Sequence, residues 1–285
     1  MRRGIISKFL ALVLIGGTAI GLASCNGKSN EKIKIVAETK GSPKPYIYQT
    51  ESGELKGYDV AVVKEVFSRL PQYELEIKLN SSALTDAQTG TVDFTFNNWT
   101  YNAERAESFY FSYPYTRAKY VINSVKGTTY TTFDDIAAAG KKVYGTAGNN
   151  ITNAIENYNK EHPDKAITID YTSADTTVKL QDYISGNYVE IASIATLTAS
   201  KEAYPEQYSQ LEYHVIPDEY VLANISKSTT SHLLFGKTEK SDKLRKEVSE
   251  VIKQLYTDGT LKKLADEWVG IDIVPLASDY ANYLN

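Results

Sequence analysis

The chain has 285 residues, of which 42% are hydrophobic and 23% are charged, a composition typical of a globular protein with one large domain or two smaller ones. Its formal net charge of −4 argues against nucleic-acid binding, because proteins that bind nucleic acids usually carry a basic surface. Cys25 is the only cysteine, which excludes a disulfide framework and a cysteine-based metal site or nucleophile.

The first 25 residues carry the pattern of an export signal. Met1–Lys8 is basic, and Phe9–Leu22 is apolar but short for a membrane span. Leu22-Ala23-Ser24-Cys25 then resembles the cleavage motif of bacterial lipoproteins. That resemblance implies a signal peptide over residues 1–24, a palmitate-containing lipid on Cys25 and a lipid-anchored tether over residues 25–31. A plain secretory signal with an incidental cysteine and an uncleaved anchor are the alternatives.

The first α/β region begins with a strand predicted over Lys32–Ala37 and continues into a proline-rich loop. Pro43 and Pro45 fix the backbone of that loop and so predict a fixed place for the ring of Tyr46. The ring is expected to serve either as a stacking platform for a ligand or as ordinary packing. A helix follows, with Asp59 as its predicted N-cap.

The next strand and helix contain the first candidate binding site. A buried strand predicted from Phe94 ends in the polar run Asn97-Asn98-Trp99-Thr100. Asn102 is a predicted N-cap for a helix over Ala103–Ser108, which carries Arg105 in its first turn. Backbone N–H groups, the helix dipole and a guanidinium can all point at an anion, so this stretch predicts a carboxylate site. A polar loop with a surface Arg–Glu face is the alternative.

A second alternation of strands and helices starts after an apolar strand at Tyr120–Ser124, which is not followed by a turn that would reverse the chain. It includes a glycine turn, Gly148-Asn149-Asn150, that leads into a predicted helix, and a strand at Tyr188–Ser193. A second such strand, His232–Phe235, precedes two amphipathic helices. Two α/β regions joined twice predict two lobes with a ligand between them. The predicted lobes are residues 32–121 with 233–285, and residues 122–232.

Short segments along residues 32–270 stand in an order and spacing typical of one protein family. They are Pro45–Tyr48, Gly53–Val60, Asn102–Ala106, Phe111–Tyr115, Gly140–Val143, and Tyr256–Leu264 followed by Trp268. Together they resemble the bacterial extracellular solute-binding proteins, family 3, of ABC importers for polar amino acids. The resemblance implies a two-lobed α/β fold of the periplasmic-binding-protein type (type II), with Tyr120–Ser124 and His232–Gly236 as its hinge strands and a ligand cleft between the lobes.

The same resemblance implies roles for individual residues. Arg105 matches the arginine that binds the α-carboxylate of the ligand, and Asn98 and Thr100 match strand-end residues that hold its backbone groups. Gly148-Asn149-Asn150 matches a second-lobe turn that donates N–H groups to the same carboxylate, and Tyr46 matches an aromatic residue of the first loop.

In one respect the chain departs from the family pattern. Many members present an aspartate after the second-lobe strand, where it pairs with the ligand ammonium, whereas this chain offers only Ser193 and Thr196 beyond Glu190. That pattern resembles the branch that binds cystine and other sulfur-containing amino acids. It leaves open which residue binds the ammonium group of the ligand. Asn97, where other members have small residues, leaves the side-chain specificity open. Asn97, Trp99 and Ser193 complete the predicted ligand-binding set.

The sequence therefore predicts a substrate-binding lipoprotein that is not an enzyme and has no cofactor or metal. It is expected to be a monomer, extracytoplasmic and held at the membrane by Cys25, and to deliver an amino acid, such as cystine, to permease subunits. An enzyme on the same scaffold, such as a dehydratase, is one alternative and would need a general acid in the cleft. His162, His214 and His232 do not cluster in the sequence. A surface sensor or adhesin is the other alternative.

Overall fold

The computed structural model describes residues 31–281. The predicted signal peptide and Cys25 lie outside the described residues.

The strands alternate with helices along most of the described chain. The strands are β1 (Ile33–Thr39), β2 (Tyr48–Gln49), β3 (Leu55–Lys56), β4 (Tyr73–Leu79), β5 (Phe94–Thr100), β6 (Phe109–Phe111), β7 (Thr116–Arg117), β8 (Tyr120–Val125), β9 (Lys142–Tyr144), β10 (Thr168–Asp170), β11 (Tyr188–Ser193), β12 (Leu211–Val215) and β13 (Thr230–Gly236). The helices are α1 (Tyr58–Ser68), α2 (Ala83–Thr89), α3 (Ala103–Ser108), α4 (Phe133–Ala138), α5 (Asn150–Glu161), α6 (Thr176–Ile184), α7 (Ile194–Ala203), α8 (Pro205–Tyr208), α9 (Asp218–Asn224), α10 (Glu239–Thr257), α11 (Thr260–Trp268) and α12 (Ala277–Ala281), with a 3-10 turn at Pro163–Lys165.

The first lobe is built on a sheet with the strand order β4-β1-β5-β13-β6, in which β7 also pairs with β13. Strand β1 runs parallel to β4 and β5. Phe94 packs at the centre of the core beneath helices α1 and α10, where its ring stacks on Phe67 at 5.6 Å and on Phe235 at 5.2 Å between centroids. The core thus fixes β5, the strand that carries the first candidate site.

The second lobe is built on a sheet with the strand order β10-β9-β11-β8-β12. Strand β9 runs parallel to β10 and β11. One face packs Val143, Val189 and Ile122 against helices α4 and α5, and the other packs Val121 and Ala192 against Leu180 of α6. The apolar residues of the second predicted α/β region are therefore divided between two faces of one sheet.

Each sheet contains one strand that runs opposite to its neighbours. Strand β13 is antiparallel to β5, β6 and β7, and β8 is antiparallel to β11 and β12. These two strands follow the points where the chain crosses between the lobes, first between Arg117 and Tyr120 and again between Val215 and Thr230. A chain that enters a lobe from its neighbour rather than through a βα unit is free to run in the reverse direction.

One predicted helix cap is wrong. Asp59 does not cap α1, because that helix begins at Tyr58 and its N-cap is Gly57, which makes no side-chain hydrogen bond. Asp59 instead lies inside the helix and is fully buried. Gly57 has a φ of 115° and a ψ of 173°, a conformation that residues with a side chain adopt only under strain. A Cβ at residue 57 would also lie only 2.4 Å from the carbonyl oxygen of Tyr46, so the loop that precedes the helix requires glycine at this position.

Candidate functional site

The polar end of β5 is held in place by the two elements beside it. Asn98 has a positive φ of 51°, which is uncommon for a residue other than glycine. Its backbone N–H donates to Oδ2 of Asp59 at 2.7 Å, and its Oδ1 accepts a hydrogen bond from Oγ of Ser231 at 2.5 Å. The strand end is thereby fastened to helix α1 on one side and to the crossing strand β13 on the other.

Arg105 lies at the start of α3, and contacts within the first lobe hold its side chain in place. The predicted cap is confirmed, since Oδ1 of Asn102 accepts a hydrogen bond from the backbone N–H of Arg105 at 2.6 Å. Nη1 of Arg105 donates to the carbonyl oxygen of Thr100, and the guanidinium carbon lies 5.2 Å from the centre of the Trp99 ring. Burial lowers the pKa of Arg105, but a guanidinium stays charged at any physiological pH. Asn98, Trp99, Thr100 and Arg105 are thus gathered at one strand end.

Two other predicted site residues are engaged elsewhere in the first lobe. Oδ1 of Asn97 accepts from Oγ1 of Thr39 and from the backbone N–H of Lys40, both at 3.0 Å, and Nδ2 donates to the carbonyl oxygen of Ser42 at 2.7 Å. Asn97 therefore fixes the loop that follows β1. Tyr46 is only 3% exposed and packs in the first core, so its ring has little free surface in this structure.

A cavity of about 530 Å³ in the second lobe is lined by three of the predicted residues, Asn149, Asn150 and Ser193, while Gly148 precedes Asn149 in the chain and is outside the lining. Gly148 has a φ of 78°, and Oδ1 of Asn149 caps α5 by accepting from the N–H of Ile151 at 2.9 Å. Nδ2 of Asn150 donates to the hydroxyl of Tyr120 at 3.2 Å. Oγ of Ser193 accepts from the N–H of Thr196 at 3.2 Å and so caps α7. Two helix starts, which favour anions, therefore lie in the wall of this cavity.

Three residues that line the cavity were not among the predicted site residues. Tyr144 and the amine of Lys179 belong to it, with Nζ of Lys179 located 5.1 Å from the centre of the Tyr144 ring. Glu190 also contributes to the lining. These residues come from β9, α6 and β11, and no local motif in the sequence indicates that they share a surface.

Three further structural findings concern metal binding, membrane crossing and a buried histidine. In the described part of the chain, no three or more His, Cys, Asp or Glu side chains are grouped so that they could hold a metal ion. Within residues 31–281, every helix is too short or too polar to cross a bilayer. His232, one of the three histidines, is fully buried on β13, and burial lowers its pKa to about 4.

Comparison with known sequences assigns the chain to a family. The sequence profile of the bacterial extracellular solute-binding proteins, family 3, matches residues 35–271. The chain belongs to this family. Family 3 consists of binding receptors rather than enzymes, and its two-lobed architecture agrees with the two sheets described above.

Individual relatives align with this chain over most of their length. The L-cystine-binding protein TcyJ of Bacillus subtilis (strain 168) is 28% identical over 275 residues, which cover 95% of this chain and 96% of that protein. A structure from a study of glutathione import through GshT and the cystine ABC importer TcyBC of Streptococcus mutans is 25% identical, with a TM-score of 0.57, and the match covers 87% of this chain and 99% of that one.

A further solved structure shows the likeness of the fold. The L-cystine solute receptor of Neisseria gonorrhoeae, in its unliganded open conformation, has a TM-score of 0.67 and is 21% identical, and the match covers 87% of this chain and 97% of that chain.

Proposed function

We propose that this family 3 protein captures an amino acid between its two lobes and delivers it to the permease subunits of an ABC importer. The observation that carries the proposal is the fixed guanidinium of Arg105 beside the polar end of β5. A guanidinium fork matches the geometry of a carboxylate, and every amino acid offers one. The names of the related TcyJ protein and of the S. mutans cystine importer support this reading.

Each lobe contributes part of the proposed site. Arg105 binds the α-carboxylate, while Asn98 and Thr100 hold the backbone groups of the ligand. In the second lobe, Asn149 and Asn150 present the start of α5 to the same carboxylate, and the dipole of that helix favours the negative charge. A ligand that contacts both lobes stabilises the closed state over the open one, which is sufficient for transport without covalent chemistry.

Cystine or a related polar or sulfur-containing amino acid is the proposed ligand. A thermal-shift screen of residues 26–285 against the common amino acids and L-cystine tests the function. A ligand at one hundred times its Kd stabilises the native state by about 2.7 kcal/mol, so a true ligand gives a clear increase in Tm. Cystamine, which has the skeleton of cystine without its carboxylates, is the matched negative control. If no amino acid raises the Tm, the proposed function is wrong.

The location of the protein is a separate proposal. Leu22-Ala23-Ser24-Cys25 supports cleavage after residue 24 and attachment of a palmitate-containing lipid to Cys25, which would hold the lobes outside the cytoplasm. Mass spectrometry of the N-terminal peptide from a bacterial expression host tests it. The lipid mass is expected on Cys25 and absent from Cys25→Ser, and a wild-type peptide with an unmodified cysteine would contradict the proposal. Light scattering of the purified protein tests the expected monomer.

A further inference from the structure

The cavity of the second lobe has one acidic residue in its wall. Among the described residues that line it, Glu190 is the single carboxylate and Lys179 is the single amine. The amine of Lys179 lies over the ring of Tyr144, and no ion pair joins it to Glu190. The carboxylate therefore lies at the cavity without a cation from the part of the chain that the structure describes.

The two oxygens of Glu190 differ in their surroundings. Oε2 accepts a hydrogen bond from the hydroxyl of Tyr208 at 2.9 Å and another from Nδ2 of Asn123 at 3.1 Å. No hydrogen bond from residues 31–281 reaches Oε1. Asn123 is fixed because Glu190 pairs with it across strands β11 and β8. The carboxylate is thus oriented through one oxygen, and the other remains available to a ligand.

The groups packed around Glu190 do not neutralise its charge. Asn123 faces it from β8, Tyr208 from α8, and Tyr183 from α6, the helix that also carries Lys179. Burial, the largest cause, raises the pKa of Glu190, while the hydrogen bonds from Tyr208 and Asn123 lower it. Charges in low-dielectric surroundings are usually paired, so a half-buried carboxylate with one free oxygen is an acceptor for an arriving cation.

The neighbouring polar groups are poorer candidates for a cation. Oγ of Ser193 lies 3.0 Å from Oγ1 of Thr196 and accepts from its backbone N–H, so both hydroxyls are engaged in the cap of α7. They are also uncharged, whereas a carboxylate forms charge-assisted hydrogen bonds roughly twice as strong as neutral ones. Among the lining residues, Glu190 is therefore the group best suited to an ammonium.

We propose that Oε1 of Glu190 accepts the ammonium group of the bound amino acid and so makes the site selective for ligands that carry an amino group. The inference rests on the proposed function, because it takes the cavity as the second half of an amino-acid site. It assigns the ammonium contact to a strand residue inside the cavity rather than to a residue after the strand. It also explains how the site can select for an amino group without an aspartate at the end of β11.

The test compares two ligands that differ only in their amino groups. L-cystine and 3,3′-dithiodipropionate share one carbon–sulfur skeleton, and only L-cystine carries ammonium groups. In calorimetry at pH 7.5, Glu190→Gln is expected to weaken L-cystine binding at least tenfold and to change the Kd for 3,3′-dithiodipropionate less than twofold. The glutamine can still accept hydrogen bonds from Tyr208 and Asn123, so the fold should persist. Glu190→Asp, which keeps the charge but shortens the side chain, is expected to give an intermediate loss.

Two controls separate this role from a structural one. Glu212→Gln alters a carboxylate on β12 of the same sheet, which accepts from the N–H of Gly127 at 2.8 Å and is outside the cavity lining, and should leave L-cystine binding unchanged. Because burial raises the pKa of Glu190, the wild type should also lose L-cystine affinity between pH 7.5 and pH 5 more steeply than Glu190→Gln does.

Three results would overturn the inference. These are an unchanged Kd of Glu190→Gln for L-cystine, an equal loss for both ligands, and a wild type that binds L-cystine no more tightly than 3,3′-dithiodipropionate. Failure of the proposed function is distinguishable, because then no amino acid would stabilise the wild type in the screen.

Discussion

Replacing Asp59 by asparagine removes a charge from the core of the first lobe. The side chain is fully buried, and its Oδ2 accepts a hydrogen bond from the N–H of Asn98 at 2.7 Å. Its Oδ1 and the nearby hydroxyl of Tyr115 have no hydrogen-bond partner of normal geometry in the described residues, and no lysine or arginine there pairs with the carboxylate. Burial therefore raises the pKa of Asp59 from 3.8 to about 7. Asparagine at position 59 keeps an oxygen that can accept from the N–H of Asn98, but it has no carboxyl group that could gain or lose a proton.

The size of the effect follows from the pKa shift. Between about pH 4 and pH 7 the folded protein holds a proton on Asp59 that the unfolded chain releases. The free energy of unfolding of the wild type therefore falls as pH rises through this window, by up to about 4 kcal/mol at 1.36 kcal/mol per pKa unit. The free energy of unfolding of Asp59→Asn should not fall in this way. The variant should therefore be as stable as the wild type near pH 4, and more stable near pH 8 by up to about 4 kcal/mol.

Urea unfolding of both proteins at several values from pH 4 to pH 8 measures this difference. Comparing the two curves removes the contribution of other groups, such as His232, because those groups titrate alike in both proteins. Asp266→Asn, which alters an exposed aspartate on α11, should follow the wild type at every pH. If Asp59→Asn has the same pH dependence as the wild type, Asp59 is ionised in the folded state and the reasoning from burial is wrong.

Two further substitutions probe the site and its support. Arg105→Ala should weaken amino-acid binding by about 2–5 kcal/mol, measured by calorimetry, because it removes one partner of a desolvated charge pair. The fold should persist, since a partly exposed cation–π contact contributes only about 0.5–1 kcal/mol. Gly57→Ala should lower the free energy of unfolding, measured in urea, because the new Cβ would lie 2.4 Å from the carbonyl oxygen of Tyr46 at a φ of 115°.

Each of these substitutions has a matched control. Arg245→Ala removes an arginine that pairs with Asp242 on α10 and should not change ligand affinity. An unchanged affinity in Arg105→Ala would reject the site assignment. Gly90→Ala also has a positive φ, of 78°, but its Cβ would meet no atom within 4 Å, so it should destabilise the protein less than Gly57→Ala. Equal effects would show that the contact with Tyr46 does not matter.

Local patterns in the sequence were sufficient where the decisive contacts are local. The cap formed by Asn102 and the helix that carries Arg105 were predictable, because donor and acceptor lie three residues apart. The role of Asp59 was not predictable, because an acidic residue near the start of a helix usually caps that helix. Its hydrogen-bond partner is the backbone N–H of Asn98, which is 39 residues away in the chain. The environment of Glu190 depends on a contact with Asn123, 67 residues away, which no spacing rule could reveal.

The position of Arg105 has a consequence for affinity. Restricting a free arginine side chain to one rotamer costs up to about 2 kcal/mol of conformational entropy. Here the Thr100 carbonyl and the Trp99 ring impose that restriction when α3 folds against β5, before a ligand arrives. The entropy lost during folding does not subtract from the binding free energy. Affinity at the carboxylate end of the ligand therefore depends on how stably the first lobe keeps this side chain in place, as well as on the contacts that the ligand makes.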